Sequence, residues 1–189
     1  DFISKVGHTN SEDKKQCGLH INISMKGEKM KQFDALKFII FSNEGQISNE
    51  KLFSDRQDAN FIVSVLKKLK GYISNDVSKD TKRFLNSEKQ KIGSAFMNHK
   101  LRMFTHKYGS VNTSAYHPNN RTIRRKKDER IEVRFFGGQD YHKKYDTFKR
   151  VLGELLHAMD VASDPNKEIN KYYKSLYKII NDVEKKDEN

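Results

Sequence analysis

The chain contains a single cysteine, Cys17, among 189 residues, and this scarcity excludes an internal disulfide bond. One unpaired thiol fits a reducing compartment, where disulfides are rare. No apolar run approaches the roughly 18 residues needed to span a bilayer, and no secretory hydrophobic segment opens the chain. We therefore expect a cytoplasmic protein that has no membrane partner.

The signatures of dedicated nucleic-acid readers are also missing, since there is no zinc-finger spacing, aromatic RNA-binding strand or heptad array. The net charge of +12 nevertheless predicts a polyanionic partner. Nucleic acid, nucleotide phosphates and acidic substrates all fit that charge. The densest basic run, at 121–127, has two interpretations: a solvated hairpin loop or a phosphate-binding loop.

The length suits one domain, 1–189, and neither an internal repeat nor a shift in composition marks a second one. Hydrophobic residues make up only 35% of the chain, so we expect a lean core. Apolar side chains recur at helical spacing in several stretches, whereas one charged stretch is only weakly periodic. The predicted helices cover 31–42, 59–74, 142–162 and 166–184, with a weaker helical segment at 75–93. One face of the 142–162 helix carries Tyr145, Phe148, Leu152, Leu155, Leu156 and Met159. Of these we expect Leu152, Leu155 and Met159 to be buried.

Three other stretches alternate between apolar and polar residues, the period of a β-strand. In the octet CGLHINIS, leucine and isoleucines alternate with His20, Asn22 and Ser24. The same design recurs in YGSVNTS and RIEVRFFGG, so we predict strands near 17–25, 108–114 and 130–137. Together with the helices, these strands predict an α+β fold with one mainly antiparallel sheet and helices on its apolar face.

The polar face of this sheet would collect side chains with the chemistry of a binding site: His20, Asn22, Ser24, Asn112, Glu132 and Arg134. Carboxylate oxygen and imidazole nitrogen bind Mg²⁺ or Mn²⁺, and a planar guanidinium can take two phosphate oxygens at once. The pattern therefore indicates a cation and phosphate site. The alternative is a surface ion pair between Glu132 and Arg134, with His20 as a polar neighbour.

The three motifs, in this order, resemble those of the carboxylate-amine ligase superfamily, which has the glutamine synthetase fold. The similarity is strongest to its amidoligase branch, found in phage and bacterial genomes. In that branch the order is Gly-Leu-His-x-His/Asn, then Tyr-x-x-Val-Asn, then Ile-Glu-x-Arg-Phe followed by glycine. Here the matching residues lie within 17–25 and 105–160.

The resemblance implies a curved antiparallel sheet that holds divalent cations between ATP and an acceptor carboxylate. It also implies that ATP activates this carboxylate and that an amine then converts it to an amide. It implies that His20 and Glu132 bind Mg²⁺ or Mn²⁺. Glu132 and Arg134 would be catalytic, and Arg134 would also hold the ATP phosphates. Asn22, where many relatives have a second histidine, and Asn112 would contact nucleotide or substrate.

One expected element of the family, an opening strand with Glu-x-Glu, does not precede CGLHINIS. Glu12 and Asp13 have the wrong spacing to replace it. Because the chain starts with Asp1 and not Met, we expect a processed chain or a piece whose sheet another chain or cleaved fragment completes. Two functions follow as hypotheses: an ATP-dependent ligase, or its C-terminal part, and a non-catalytic structural or binding protein of a phage or nucleic-acid complex.

Overall fold

The computed structural model describes residues 19–26, 30, 32–44, 64–76, 97–105, 109–113, 130–136 and 144–184. The elements in chain order are β1 (Leu19–Ile23), α1 (Ala35–Phe41), α2 (Val65–Asp76), β2 (Val111–Asn112), β3 (Ile131–Phe136), α3 (Tyr145–Ala162) and α4 (Ile169–Glu184). Residues 97–101 are also helical. Within these ranges, none of the helices has the length and apolar character needed to cross a membrane.

The three strands form one antiparallel sheet in the order β1–β3–β2, which confirms the predicted α+β class and the shared sheet. Ile21, Val133 and Val111 are aligned in one row across it. Val111 and Val133 are fully buried, and Ile21 packs against the same hydrophobic core. Because neighbouring side chains alternate between faces, the residues on either side of this row point away from the core.

The pairing of β1 with β3 contains an irregularity next to His20. Leu19 pairs with Phe136, whereas Ile21 pairs with Val133, so β3 carries one extra residue in this interval. A bulge of this kind bends the strand and changes the direction of nearby side chains. The alternation of residues in 17–25 predicted the faces of β1 but gave no sign of this change in register.

The short helix α1 lies at the centre of the core. Leu36, Phe38 and Ile39 are completely buried, and α1 packs against α2, α3 and α4. A helix that is apolar on most sides is typical of a buried position, which explains the run FIIF at its end. Asp34 caps its N-terminus by accepting a hydrogen bond from the Lys37 amide at 2.9 Å.

Helix α3 buries a narrower face than the sequence predicted. Leu155 and Met159 are fully buried as expected, and Leu152 is half-buried. Tyr145 and Leu156, which helical spacing places on the same apolar face, are 68% and 53% exposed. The buried face is centred instead on smaller side chains: Val151, Ala158, Val161 and Ala162. The large side chains at its edge are left in solvent.

A buried carboxylate joins helix α2 to the start of β2. Glu44 is completely buried and accepts hydrogen bonds from the Val65 amide at 3.1 Å and the Leu66 amide at 3.2 Å. Its oxygens also accept from the hydroxyls of Ser64, at 2.8 Å, and Ser110. This carboxylate therefore caps α2 and fixes the residues that lead into Asn112.

Several sequence expectations differ from the structure in extent or fall on residues it does not describe. Within the predicted 108–114 strand, β2 covers only Val111–Asn112. Helix α2 starts at Val65, later than the predicted 59–74 helix. Cys17, the basic run at 121–127 and most of the segment at 75–93 lie outside the described residues.

Candidate functional site

The polar face of the sheet carries a row of three side chains. Asn22 of β1 and Asn112 of β2 both pair with Glu132, which lies between them on the central strand. Directly opposed residues in antiparallel strands project from the same face, with Cβ atoms about 5 Å apart. The strand pairing therefore brings these three predicted residues together around one carboxylate.

Both oxygens of Glu132 contact neighbouring side chains. His20 Nδ1 lies 2.7 Å from Oε1, and Asn112 Nδ2 donates to Oε2 at 2.9 Å. Arg134 Nε lies 3.9 Å from the same Oε1 atom. One carboxylate thus connects a histidine from β1, an amide from β2 and a guanidinium from its own strand. This arrangement is denser than the simple Glu132–Arg134 surface pair that the sequence left open.

His20 Nδ1 and Glu132 Oε1 are 2.7 Å apart, the distance of a direct contact between an imidazole and a carboxylate. A neutral imidazole nitrogen and a carboxylate oxygen are both metal-ligating groups. The His20 side chain is 40% exposed and that of Glu132 is 23% exposed. Solvent and a ligand can therefore reach both groups while the sheet holds them together.

Arg134 lies deeper than the other charged groups of this face. Its side chain is only 16% exposed, and its backbone amide donates to the Ser110 carbonyl at 2.8 Å. A backbone held in the sheet positions the guanidinium beside Glu132. A planar, always charged group in this position is suited to binding phosphate or carboxylate oxygens.

Arg130 is a neighbour of the site that the sequence interpretation did not include. Its Nε donates to Asn22 Oδ1 at 3.1 Å, so the amide oxygen of Asn22 is engaged by an arginine. The sequence could have indicated this contact, because Arg130, Glu132 and Arg134 are two residues apart and share a face if the strand geometry extends by one residue. The predicted polar face began at Glu132 and did not include Arg130.

Ser24 lies farther from the row of Asn22, Glu132 and Asn112 than the sequence predicted. It is exposed and lies just beyond the end of β1 at Ile23, so it follows the polar row without belonging to the paired strand.

The donor set around Glu132 fits a small divalent cation in part. Two ligands at about 2.1 Å on adjacent octahedral positions are about 3 Å apart, close to the 2.7 Å between Nδ1 and Oε1. Mg²⁺ commonly keeps several waters and uses one or two carboxylates together with substrate phosphates. Among the residues that the structure describes, however, no group of three or more His, Cys, Asp or Glu could hold a metal ion.

Comparison with known proteins adds no assignment. No family model matches the chain, and no curated protein or solved structure shows a significant match to it.

Proposed function

We propose that the polar face of the sheet binds a divalent cation and the phosphates of ATP, and that the chain is a carboxylate-amine ligase or the C-terminal part of one. The observation that supports this most directly is the 2.7 Å contact between His20 Nδ1 and Glu132 Oε1. Two motifs more than 100 residues apart supply these groups, and both are the types that the amidoligase resemblance assigns to a metal.

The reaction consists of two displacements. An acceptor carboxylate oxygen attacks the γ-phosphorus of ATP, the bond to the β-phosphate oxygen breaks, and ADP leaves an acyl phosphate behind. An amine nitrogen then attacks the acyl carbon, inorganic phosphate leaves, and the nitrogen loses a proton to give the amide. A divalent ion, when bound, offsets charge on the transferring phosphoryl group.

The residues of this chain have separate roles in that proposal. His20 and Glu132 would hold the ion through a neutral imidazole nitrogen and a carboxylate oxygen. Arg134 would bind phosphate oxygens through its planar fork. Asn112 orients Glu132 through its 2.9 Å hydrogen bond, and Asn22 lies in the same row to contact nucleotide or substrate.

Cation binding is the first test, measured by electron paramagnetic resonance during titration with Mn²⁺. We expect His20→Ala and Glu132→Gln each to weaken binding at least about tenfold, because each removes one of two protein ligands. The matched controls are His157→Ala and Glu154→Gln, an exposed histidine and a partly exposed carboxylate on α3. Equal affinity of all four variants would exclude the site.

Nucleotide binding is the second test, measured by calorimetry with ATP and Mg²⁺. Arg134→Lys should weaken binding, because an ammonium cannot reproduce the two parallel hydrogen bonds of the guanidinium. Arg150→Lys is the control, since Arg150 pairs with Glu154 on the surface of α3. If both lysine variants bind ATP as the unmodified chain does, Arg134 is not a phosphate ligand.

A non-catalytic protein on the same scaffold is the second candidate. It is favoured by the ligand set, because the described part of the polar face supplies only one carboxylate and one imidazole near each other. A Glu-x-Glu strand encoded upstream in the parent gene would favour the ligase. Absence of both Mn²⁺ and ATP binding in the intact parent assembly would favour the second candidate.

A further inference from the structure

A row of lysines covers the outer face of α4. Lys171, Lys174 and Lys178 are exposed, and their spacing of three and four residues places them on one stripe of the helix. The buried side chains Tyr172 and Leu176 belong to the opposite side. The exposed lysines therefore extend along about 10 Å of helix on the side opposite these buried residues. The Lys171 ammonium also lies 5.4 Å from the centroid of the Phe41 ring, so Lys174 and Lys178 are the more open pair.

Helix α2 packs against α4 and brings a second set of lysines. Lys67 is exposed, and Lys68 and Lys70 are half-buried. The sequence contains no Asp or Glu at 65–75 or at 169–180, so neither helix pairs these lysines with acids of its own over those spans.

Acidic residues occur at the two ends of α4, so the basic stripe does not extend over the whole helix. Asp160 pairs with Lys167 just before the helix, and Glu168 is exposed beside it. Asp182 and Glu184 belong to its last turn. Over 169–180 the sequence has lysines and no acidic residue, so positive charge is concentrated in the middle of the helix.

We propose that the outer lysines of α4 and α2 form a docking surface for the phosphate backbone of a nucleic acid, separate from the cation site on the sheet. A nucleic-acid strand presents one negative charge per nucleotide in a linear series, which matches a row of lysines along a helix. Lysines act as point charges on phosphates, so the surface binds without reading the base sequence.

The packing of α4 favours nucleic acid over a membrane surface. A helix that lies in a membrane interface inserts its own apolar face into the lipid. The apolar face of α4 cannot insert into lipid while the chain is folded, because Tyr172, Leu176 and Ile180 are buried in the core. Among the described side chains of α4, the exposed side offers one large apolar group, Tyr177, beside the lysines.

The test uses fluorescence anisotropy with the full 189-residue chain and two labelled random-sequence probes, a 20-base-pair duplex and a 20-nucleotide single strand. We expect binding of at least one probe, with log K falling linearly as log salt rises. Lys174→Gln/Lys178→Gln should lower affinity about tenfold at low salt and reduce the salt slope by about 1–2. Lys67→Gln/Lys70→Gln should weaken binding in the same way.

The matched control is Lys26→Gln/Lys149→Gln, which removes the same charge from two other exposed positions. It should weaken binding less than about threefold, because neither lysine belongs to the surface on α4 and α2. Equal losses in the control and the α4 variant, or absence of binding to both probes at low salt, would overturn the proposal. Tighter binding to poly-glutamate or to anionic phosphatidylserine vesicles than to either probe would also overturn it.

Discussion

Glu44 and Glu132 are two carboxylates that the same fold places in opposite surroundings. Glu44 is completely buried, and its two oxygens accept from two backbone amides and two serine hydroxyls. Glu132 is partly exposed and contacts His20, Asn112 and Arg134. The first carboxylate is fully used by local structure, whereas the second is surrounded by groups that can also bind ligands.

These two carboxylates show which observation separates a structural carboxylate from a candidate ligand. Burial alone would select Glu44, and number of polar contacts would not distinguish the two. The partners separate them. Backbone amides at the start of a helix need an acceptor for the helix to form. By contrast, the half-exposed imidazole of His20 and the guanidinium of Arg134 can exchange their contacts with Glu132 for contacts with a ligand.

Removal of Glu44 should have the largest effect on stability. Glu44→Ala leaves two amides of α2 and two serine hydroxyls without their acceptor in a buried place, and it creates a cavity. We expect a loss of about 3–5 kcal/mol in the free energy of unfolding, measured by urea denaturation. Glu154→Ala on the surface is the control and should cost less than about 1 kcal/mol. Similar losses in the free energy of unfolding for both variants would show that Glu44 has no special structural role.

Ser110→Ala should have an intermediate effect. The Ser110 hydroxyl donates to Glu44 and accepts from the Val65 amide at 3.2 Å, so its loss weakens the same cap without removing the carboxylate. We expect a cost of about 1–2 kcal/mol in urea denaturation. Ser24→Ala, at an exposed position, should change stability by less than about 0.5 kcal/mol. A cost for Ser110→Ala as small as that of Ser24→Ala would show that Glu44 does not depend on this hydroxyl.

Glu132→Gln should change stability by less than about 1 kcal/mol, because the amide oxygen can still accept from Asn112 and the amide nitrogen can donate to a neutral His20 nitrogen. The same variant is expected to lose Mn²⁺ affinity, so stability and binding should separate at this residue. Urea denaturation and Mn²⁺ titration on one preparation test this. A loss of several kcal/mol would place Glu132 in the same structural class as Glu44.

The smallest effect concerns Lys37, a buried cation. Its side chain is almost inaccessible, and Nζ donates to the Asp164 carbonyl at 2.7 Å. Desolvation lowers the pKa of Lys37 from its ordinary value of 10.5, although Asp34, Asp164 and Glu168 oppose this shift. Between the lowered pKa and 10.5 the unfolded chain binds more protons than the folded chain, so this residue makes stability rise with pH in that window.

The measurement is urea denaturation of the unmodified chain and Lys37→Met from about pH 8 to about pH 10. The free energy of unfolding of the unmodified chain, minus that of the variant, should increase as pH rises. Burial raises the pKa of Tyr173 above 10.0, which lowers stability at higher pH, but that contribution is common to both chains and cancels. A difference that stays constant or falls would contradict the lowered pKa of Lys37.

Residue spacing within single elements specifies the strands, the main helices and the face on which most polar strand residues lie. Strict alternation places His20 and Asn22 on one side of β1, because successive side chains of a pleated strand point to opposite faces. The same parity predicts Arg134 beside Glu132, and the structure has their Nε and Oε1 atoms 3.9 Å apart although β3 carries an extra residue between Val133 and Phe136. Helical spacing identified Leu155 and Met159 as core residues for the same geometric reason.

Which of these side chains meet depends on the tertiary structure. The register of β1 against β3 places Asn22 opposite Glu132, and β3 carries one extra residue opposite His20, yet neither feature follows from residue spacing within one strand. Glu44 lies in a stretch whose polar residues predict a loop. It becomes a buried helix cap only because α2 and Ser110 pack against it. Local periodicity specifies faces, whereas contacts between distant segments depend on how the elements pack against one another.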